Sequence, residues 1–412
     1  MTTFADPHLD GRYAWFRLAV SVLAATVASV GMWAVILVLP AVQAEFGVGR
    51  ADASLPYTAT MLGFAAGNFW LGRFVDRFGI AVVLTAAAVA LAAGFGLAAV
   101  SRNIWDFTLA QGLLIGVGTS AGFGPLLADV SHWFRRRRGI AVATAACGNY
   151  LAGAIWPLGL RGILAEDGWR AAYLVIAAIC LAVIVPLALM LRRRLPVAAM
   201  ASGAPGGPAQ PMAAGFRPAT LQWLLALAGI GCCVAMSMPQ VHIVAYCADL
   251  GYGVAVGAEM LSLMLAAGIV SRLASGLLAD WIGGVRTLLL GSVLQGLALL
   301  LYLPFDGLAS LYVVSLIFGL SQGGIVPSYA IIVREYLPAR EAGQRIGFVI
   351  MATILGMALG GWMSGWIFDA TGSYRMAFLN GIAFNLLNVA IMVLVLWRTK
   401  GPRPGAVALE PA

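Results

Sequence analysis

Twelve apolar runs, each near or above the length that crosses a bilayer, leave this chain very few folds to choose from. About 20 apolar residues span the hydrocarbon core as a helix, because each backbone N–H and C=O must find its partner where water is excluded. The runs lie at residues 16–42, 54–73, 81–100, 106–132, 139–162, 170–191, 220–246, 258–279, 286–304, 310–333, 345–367 and 375–397. They are continuous and do not alternate at every second residue, so they predict helices and not barrel strands. Composition agrees: 61% of the 412 residues are hydrophobic and 10% are charged, against about 25% charged in a soluble domain. Little chain remains outside the bilayer to build an enzyme or a nucleic-acid surface.

The first run ends near the small-residue stretch "LPAVQAEF", which has the look of a signal-peptidase site. A signal h-region is only about 7–15 residues long, so this run is expected to be a retained transmembrane helix. The five cysteines, Cys147, Cys180, Cys232, Cys233 and Cys247, have no metal-ligand or disulfide-framework spacing. No metal site, cofactor motif, phosphate-binding Gly-Lys loop or nucleophile–base pair is legible, and the expectation is that the chain is not an enzyme.

Basic residues orient the spans. With the N-terminus in the cytoplasm, 19 of the 25 Lys and Arg residues fall on the inner side. Five (Arg50, Arg102, Arg161, Arg170 and Arg375) fall on the outer side, and Arg272 falls inside a span. That asymmetry predicts two cytoplasmic termini in a plasma membrane, a bacterial inner membrane by this reading. It also makes the "RRRR" run at Arg135–Arg138 a topology anchor and no nucleic-acid site. The Pro-, Gly- and Ala-rich stretch 192–218 reads as a flexible cytoplasmic linker between a first six-helix bundle, 1–191, and a second, 219–412, that ends in a cytoplasmic tail.

The two halves look like copies. "GRFVDRFG" (Gly72–Gly79) and "GLLADWIG" (Gly276–Gly283) follow the second and eighth spans, with aspartates at 76 and 280; "GWRAAYL" and "SYRMAFL" open the sixth and twelfth, with arginines at 170 and 375. Parallel six-helix repeats predict two pseudo-symmetric bundles that rock about a site near the bilayer midplane. Without a nucleotide site, such movement would be driven by a solute or proton gradient.

The loop pattern G-x-x-x-D-R-x-G at Gly72–Gly79 resembles the signature of the major facilitator superfamily, and the likeness extends over essentially the whole chain. It implies gating roles for Gly72, Asp76, Arg77 and Gly79, and for Asp280 in the degenerate second copy. "DGRYAW" (Asp10–Trp15) and "HWFRRRRGIAVATAACGNYLAG" (His132–Gly153) are similar to the first- and fifth-helix signatures of monocarboxylate transporters. Arg272, four residues before Gly276, matches the arginine by which that branch, oxalate–formate antiporters included, binds a substrate carboxylate. Two departures stand out. Gly268 occupies the position of the aspartate that animal members use in proton coupling, and Lys400 is the only lysine, so no lysine matches those of their first helix or of a dicarboxylate clamp.

The residues bear on the same position independently. An arginine at a helix centre costs roughly 2.5–3.5 kcal/mol on insertion scales. Three things can offset it: snorkelling over the ~12 Å to the inner boundary, an ion pair with a buried acid such as Asp129, or a substrate carboxylate taken with two parallel hydrogen bonds. Other candidates for the site are Asn149 and Tyr150 as hydrogen-bonding groups and Phe123 and Tyr329 as an aromatic wall. His242 is a candidate proton carrier. The expected partner is a small organic anion, with or without protons, in a monomeric functional unit. The competing reading is an exporter of drugs or other hydrophobic solutes in which Arg272 is structural.

Overall fold

A computed structural model describes residues 10–134, 138–193, 216–337 and 342–399; within its helices the side chains of Asp76, Arg138, Gly139, Asp280, Ala342 and Gly343 are not described. Among the described residues there is no strand. Twelve rods account for the described residues. In the first half they are α1 (Arg12–Phe46), α2 (Arg50–Phe78), α3 (Ile80–Ala99), α4 (Ile104–Trp133), α5 (Arg138–Glu166) and α6 (Gly168–Met190). The second half holds α7 (Pro218–Asp249), α8 (Val254–Ile282), α9 (Gly284–Leu301), α10 (Leu308–Tyr336), α11 (Ala342–Thr371) and α12 (Tyr374–Arg398). The twelve predicted runs therefore correspond one to one with observed rods, and this is a multi-pass membrane protein.

Ten of the rods are long and apolar enough to cross a membrane by length and composition alone. The other two, α2 and α5, are 29 residues long but carry polar groups along their middles, among them Tyr57, Thr58, Thr60 and Asn68 in α2 and Thr144, Asn149 and Tyr150 in α5. Their packing supplies the reason. α2 lies against α11, and α5 against α8, so both spend one face on the opposite half of the protein and less on lipid.

The duplication is visible in the backbone. Gly79, between α2 and α3, has φ 84° and ψ 159°; Gly283, between α8 and α9, has φ 84° and ψ 163°. Each donates its N–H to the carbonyl four residues back, Val75 and Ala279. A positive φ is open to glycine at little cost and strains a residue with a Cβ, which is why glycine stands at both turns.

Rods α1, α4 and α10 are broken near their middles. The α1 path is interrupted at Ser29, α4 at Ala121–Phe123 and α10 at Gly323–Gly324. In α10 the break follows from close packing. A Cβ on Gly323 would stand 2.2 Å from the Gly268 carbonyl oxygen and 2.8 Å from the Arg272 nitrogen, both backbone atoms of α8. Gly323→Ala is therefore expected to force α8 and α10 apart and to destabilise the fold by about 1–3 kcal/mol, the usual cost of overpacking. Gly72→Ala and Gly276→Ala, which meet nothing within 4 Å, are expected to leave thermal unfolding in detergent unchanged. Equal melting temperatures for all three variants would contradict the packing argument.

Those glycines also map how the halves meet. Call the end where α1 starts and α12 finishes the linker end, and the opposite one the far end. Near the far end the halves touch closely: Cβ atoms on Gly49, Gly361 and Gly365 would stand 2.9 Å from Asp369, 2.9 Å from Tyr57 and 2.7 Å from the Arg50 carbonyl oxygen. Toward the linker end, Gly72 of α2, Gly276 of α8 and Gly347 of α11 look into open space. The halves are in direct contact at the far end.

Candidate functional site

Arg272 sits between the halves, partly buried. Its Nε donates to the Gly323 carbonyl oxygen at 3.3 Å, an acceptor at the α10 break, and its Nη1 to the Ala146 carbonyl oxygen of α5 at 3.0 Å. The guanidinium lies 4.1 Å from the ring centroid of Tyr150, also on α5. Among the described residues it forms no ion pair. Two hydrogen bonds from a charged donor at about 1.5–3 kcal/mol each and a cation–π contact of about 0.5–2 kcal/mol are enough to offset the roughly 2.5–3.5 kcal/mol insertion cost of the arginine. The side chain is held in place while its charge remains without a counterion.

The ion-pair candidate offered by the sequence has a different partner. Asp129 accepts from Nε and Nη2 of Arg17 at 2.9 and 2.8 Å, and Arg17 Nη1 donates to the Leu191 and Arg193 carbonyl oxygens. Trp133 covers the same guanidinium at 4.7 Å. Asp129 thus fastens the linker end of the first half and is not available to Arg272.

Around Arg272 the structure assembles some of the expected residues and sends others elsewhere. Tyr150 is in direct contact with it. Asn149, next along α5, faces α1: Trp33 Nε1 donates to its backbone and side-chain oxygens at 3.0 and 3.1 Å. Phe123 occupies the α4 break and packs against Phe64, ring centroids 5.7 Å apart. Tyr329 is fully buried inside the second half, its hydroxyl donating to Asn388 at 3.0 Å, so its ring is packing and not a wall of an open site. Asn388 and Asn385 in turn donate to Ser292 and Gln295 of α9. Of the gating candidates, Gly79 makes the turn described above and Gly72 borders open space. Arg77 lies 5.1 Å from the ring of Phe78. The side chains of Asp76 and Asp280 lie outside the described residues.

His242 belongs to a second network, at the far end. Its Nε2 lies 2.8 Å from the Gly361 carbonyl oxygen and its Nδ1 3.3 Å from the Tyr374 hydroxyl. A carbonyl only accepts, so the ring proton is on Nε2 and Nδ1 accepts from Tyr374. Tyr374 itself accepts from Arg50 Nη1 at 3.1 Å. Arg50 Nη2 bonds both oxygens of Asp249 at 3.1 Å, while the backbone N–H groups of Arg50 and Ala51 donate to Asp369 at 2.8 and 2.7 Å. Asp369 thus caps the N-terminus of α2 from the opposite half, where a carboxylate is favoured by the helix dipole. Phe368 and Tyr374 flank the guanidinium at 4.8 and 5.8 Å. A second cross-half pair, Arg161–Glu259 at 2.9 Å, lies at the same end. Sequence reasoning counted Arg50 only as an outer loop charge. Its partners are about 200 and 320 residues away in the chain, with no local signal to announce them.

An arginine without a counterion among the described residues, lying between two helical bundles, is a geometry that a membrane carrier can use. Residues 21–330 and 261–411 match the family profile described as Major Facilitator Superfamily. The chain is 30% identical to monocarboxylate transporter 13 of Rattus norvegicus, covering 76% of this chain and 72% of that one. It is 31% identical to monocarboxylate transporter 11 of Mus musculus, covering 74% and 69%. In three dimensions it is similar to a bacterial homologue of the human lysosomal transporter Spinster in an inward-facing and occupied conformation, with a TM-score of 0.74 and 13% identity over 95% of this chain and 98% of that one. The chain belongs to the major facilitator superfamily, in its monocarboxylate transporter-like branch. Proteins of this family are transporters and not enzymes.

Proposed function

We propose that this transporter moves small organic anions, monocarboxylates foremost, by alternating access across a bacterial inner membrane. In this reading the linker end and both termini face the cytoplasm, and the two six-helix units, 1–191 and 219–412, rock as bodies joined by the linker. The 19-to-5 distribution of basic residues supports the orientation. The observation that carries the substrate class is the guanidinium of Arg272, fixed by two carbonyls and a ring yet facing no protein carboxylate among the described residues. An incoming carboxylate completes it. A single cation suits a monoanion better than a dianion.

The arrangement also assigns work to its neighbours. Tyr150 positions the guanidinium by its face, so Tyr150→Phe is expected to keep near-normal affinity. Tyr150→Ala is expected to weaken carboxylate binding by about 3–30-fold, the equivalent of the cation–π contact; competition binding in detergent measures both. If Phe and Ala behave alike, the ring face is not what holds the arginine.

The energy source is proton symport or anion exchange, and His242 is the candidate that separates them. Protonating it would place an Nδ1 proton against a hydroxyl already tied to Arg50, which disturbs the far-end closure. Under symport, His242→Gln is expected to abolish the response of uptake to a pH gradient. Under exchange, pH dependence is expected to survive unchanged while counterflow proceeds. The overall proposal is tested by uptake into proteoliposomes of a panel of monocarboxylates, dicarboxylates and hydrophobic cations. Transport of the cations alone, indifferent to competing carboxylates, would favour a hydrophobic-solute exporter with Arg272 as a structural group.

A further inference from the structure

Where α6 gives way to the linker, Tyr13, Phe16, Leu189, Met190, Arg192 and Arg193 line an open depression of about 460 Å³. Its floor is apolar. Phe16, Leu189 and Met190 are exposed, and α6 is the least buried of the ten apolar rods, so these side chains face lipid near the level of the headgroups. Its rim is basic. Arg192 and Arg193 are exposed, and the Arg193 guanidinium stands 5.1 Å from the ring centroid of Tyr13. Neither forms an ion pair among the described residues, and the following stretch 194–215 contains no Asp or Glu to supply one. Their backbone is nevertheless fastened. Arg17 donates to the Leu191 and Arg193 carbonyl oxygens at 2.9 and 3.1 Å, and the Tyr13 hydroxyl to that of Met190 at 3.4 Å. Two unanswered cations are thus set at a fixed place above a greasy floor.

We infer that this depression binds the headgroup of an anionic phospholipid from the leaflet at the linker end, with the acyl chains lying along α1 and α6. A phosphodiester accepts paired hydrogen bonds from a guanidinium, while the acyl chains cover Phe16, Leu189 and Met190. A zwitterionic headgroup fits less well, because its ammonium needs an acceptor and the lining holds no carboxylate. A soluble anion would answer the rim and leave the floor bare. The bound lipid ties the start of the linker to α1 and, through the Arg17–Asp129 pair, to α4. It braces the first bundle at the point where the linker leaves it. This inference is independent of the cargo and of Arg272.

The test follows thermal unfolding of the purified full-length transporter in nonionic detergent, titrated with phosphatidylglycerol, phosphatidylcholine or inorganic phosphate. A ligand that binds the folded state raises the melting temperature in proportion to its occupancy and affinity. The wild type is expected to bind phosphatidylglycerol about tenfold or more tighter than phosphatidylcholine, the scale that two basic side chains provide at an anionic surface. In Arg192→Gln/Arg193→Gln the preference is expected to fall below about threefold. Melting in phosphatidylcholine should stay as in the wild type, since both side chains are exposed and exposed substitutions cost little. Arg286→Gln/Arg334→Gln removes the same charge from exposed positions at the same end and is expected to keep the preference. Equal losses in the two double variants would reveal general attraction to a basic surface and overturn the inference. A wild type indifferent to the two lipids overturns it as well. So does stabilisation by inorganic phosphate that matches phosphatidylglycerol and disappears in Arg192→Gln/Arg193→Gln, which would make this a site for soluble anions. Should that double variant not fold, the single variants decide: full preference in both Arg192→Gln and Arg193→Gln overturns the assignment.

Discussion

Replacing Arg272 by alanine is expected to cut carboxylate uptake by about a hundredfold or more, and replacing it by lysine by about tenfold, with both variants inserting and purifying like the wild type. A hydrogen bond to a charged group contributes about 1.5–3 kcal/mol, and the loss of two from one guanidinium–carboxylate pair accounts for the alanine effect. Lysine restores a point charge but neither the planar fork nor the stacked face on Tyr150. Folding is expected to tolerate both changes, because what Arg272 donates to is backbone, not a buried acid that would be stranded. Uptake by the lysine variant at the wild-type rate would remove two-pronged recognition. Uptake by the alanine variant at that rate would end the carboxylate assignment.

The second large effect is expected at the far end. Arg50→Ala releases Asp249 and Tyr374 together, and should shift the transporter toward states open at that end. Asp249 is 36% exposed while Arg50 is 8% exposed. The full figure for a buried pair therefore does not apply, and about 1–2 kcal/mol is the appropriate scale, or about 5–30-fold in population. A cysteine placed at Thr58, half-buried on α2 and bonded to the Ala358 carbonyl oxygen across the interface, reports the opening through its maleimide labelling rate. The five native cysteines are all buried and can be replaced in the background. Labelling should quicken by that factor in Arg50→Ala and by less in Asp249→Asn, where Arg50 still donates to Tyr374. An unchanged rate would mean that these contacts do not hold the far end closed.

How much of this was legible in the sequence depended on whether the signal was local. Span lengths, the glycine turns at 79 and 283 and the placement of Arg272 within a span all depend on neighbouring residues, and they read directly. The identity of the arginine's companions was only half legible. Tyr150 follows from the helix that carries it, whereas the Gly323 carbonyl becomes an acceptor only because α10 breaks against α8. Asp129 was the reasonable acid to suspect from depth alone, but Arg17 lies at the same end of the same bundle and reaches it first. Tyr329 and His242 show the limit from the other side. A polar aromatic or a histidine in an apolar run has the same sequence appearance whether it borders open space or is sealed among helices.

One feature of the Arg272 cradle bears on how the cycle is kept honest. Two of its three supports, the Ala146 carbonyl and the Tyr150 ring, come from the partner bundle. Any rotation that separates α5 from α8 would strip the cation of both. On the anion-carrier proposal, a bound carboxylate would neutralise the cation during the swing. Without cargo, the swing has to drag an unescorted positive charge. On that proposal the empty swing is the costlier one, which favours exchange of one anion for another over a cycle that returns empty.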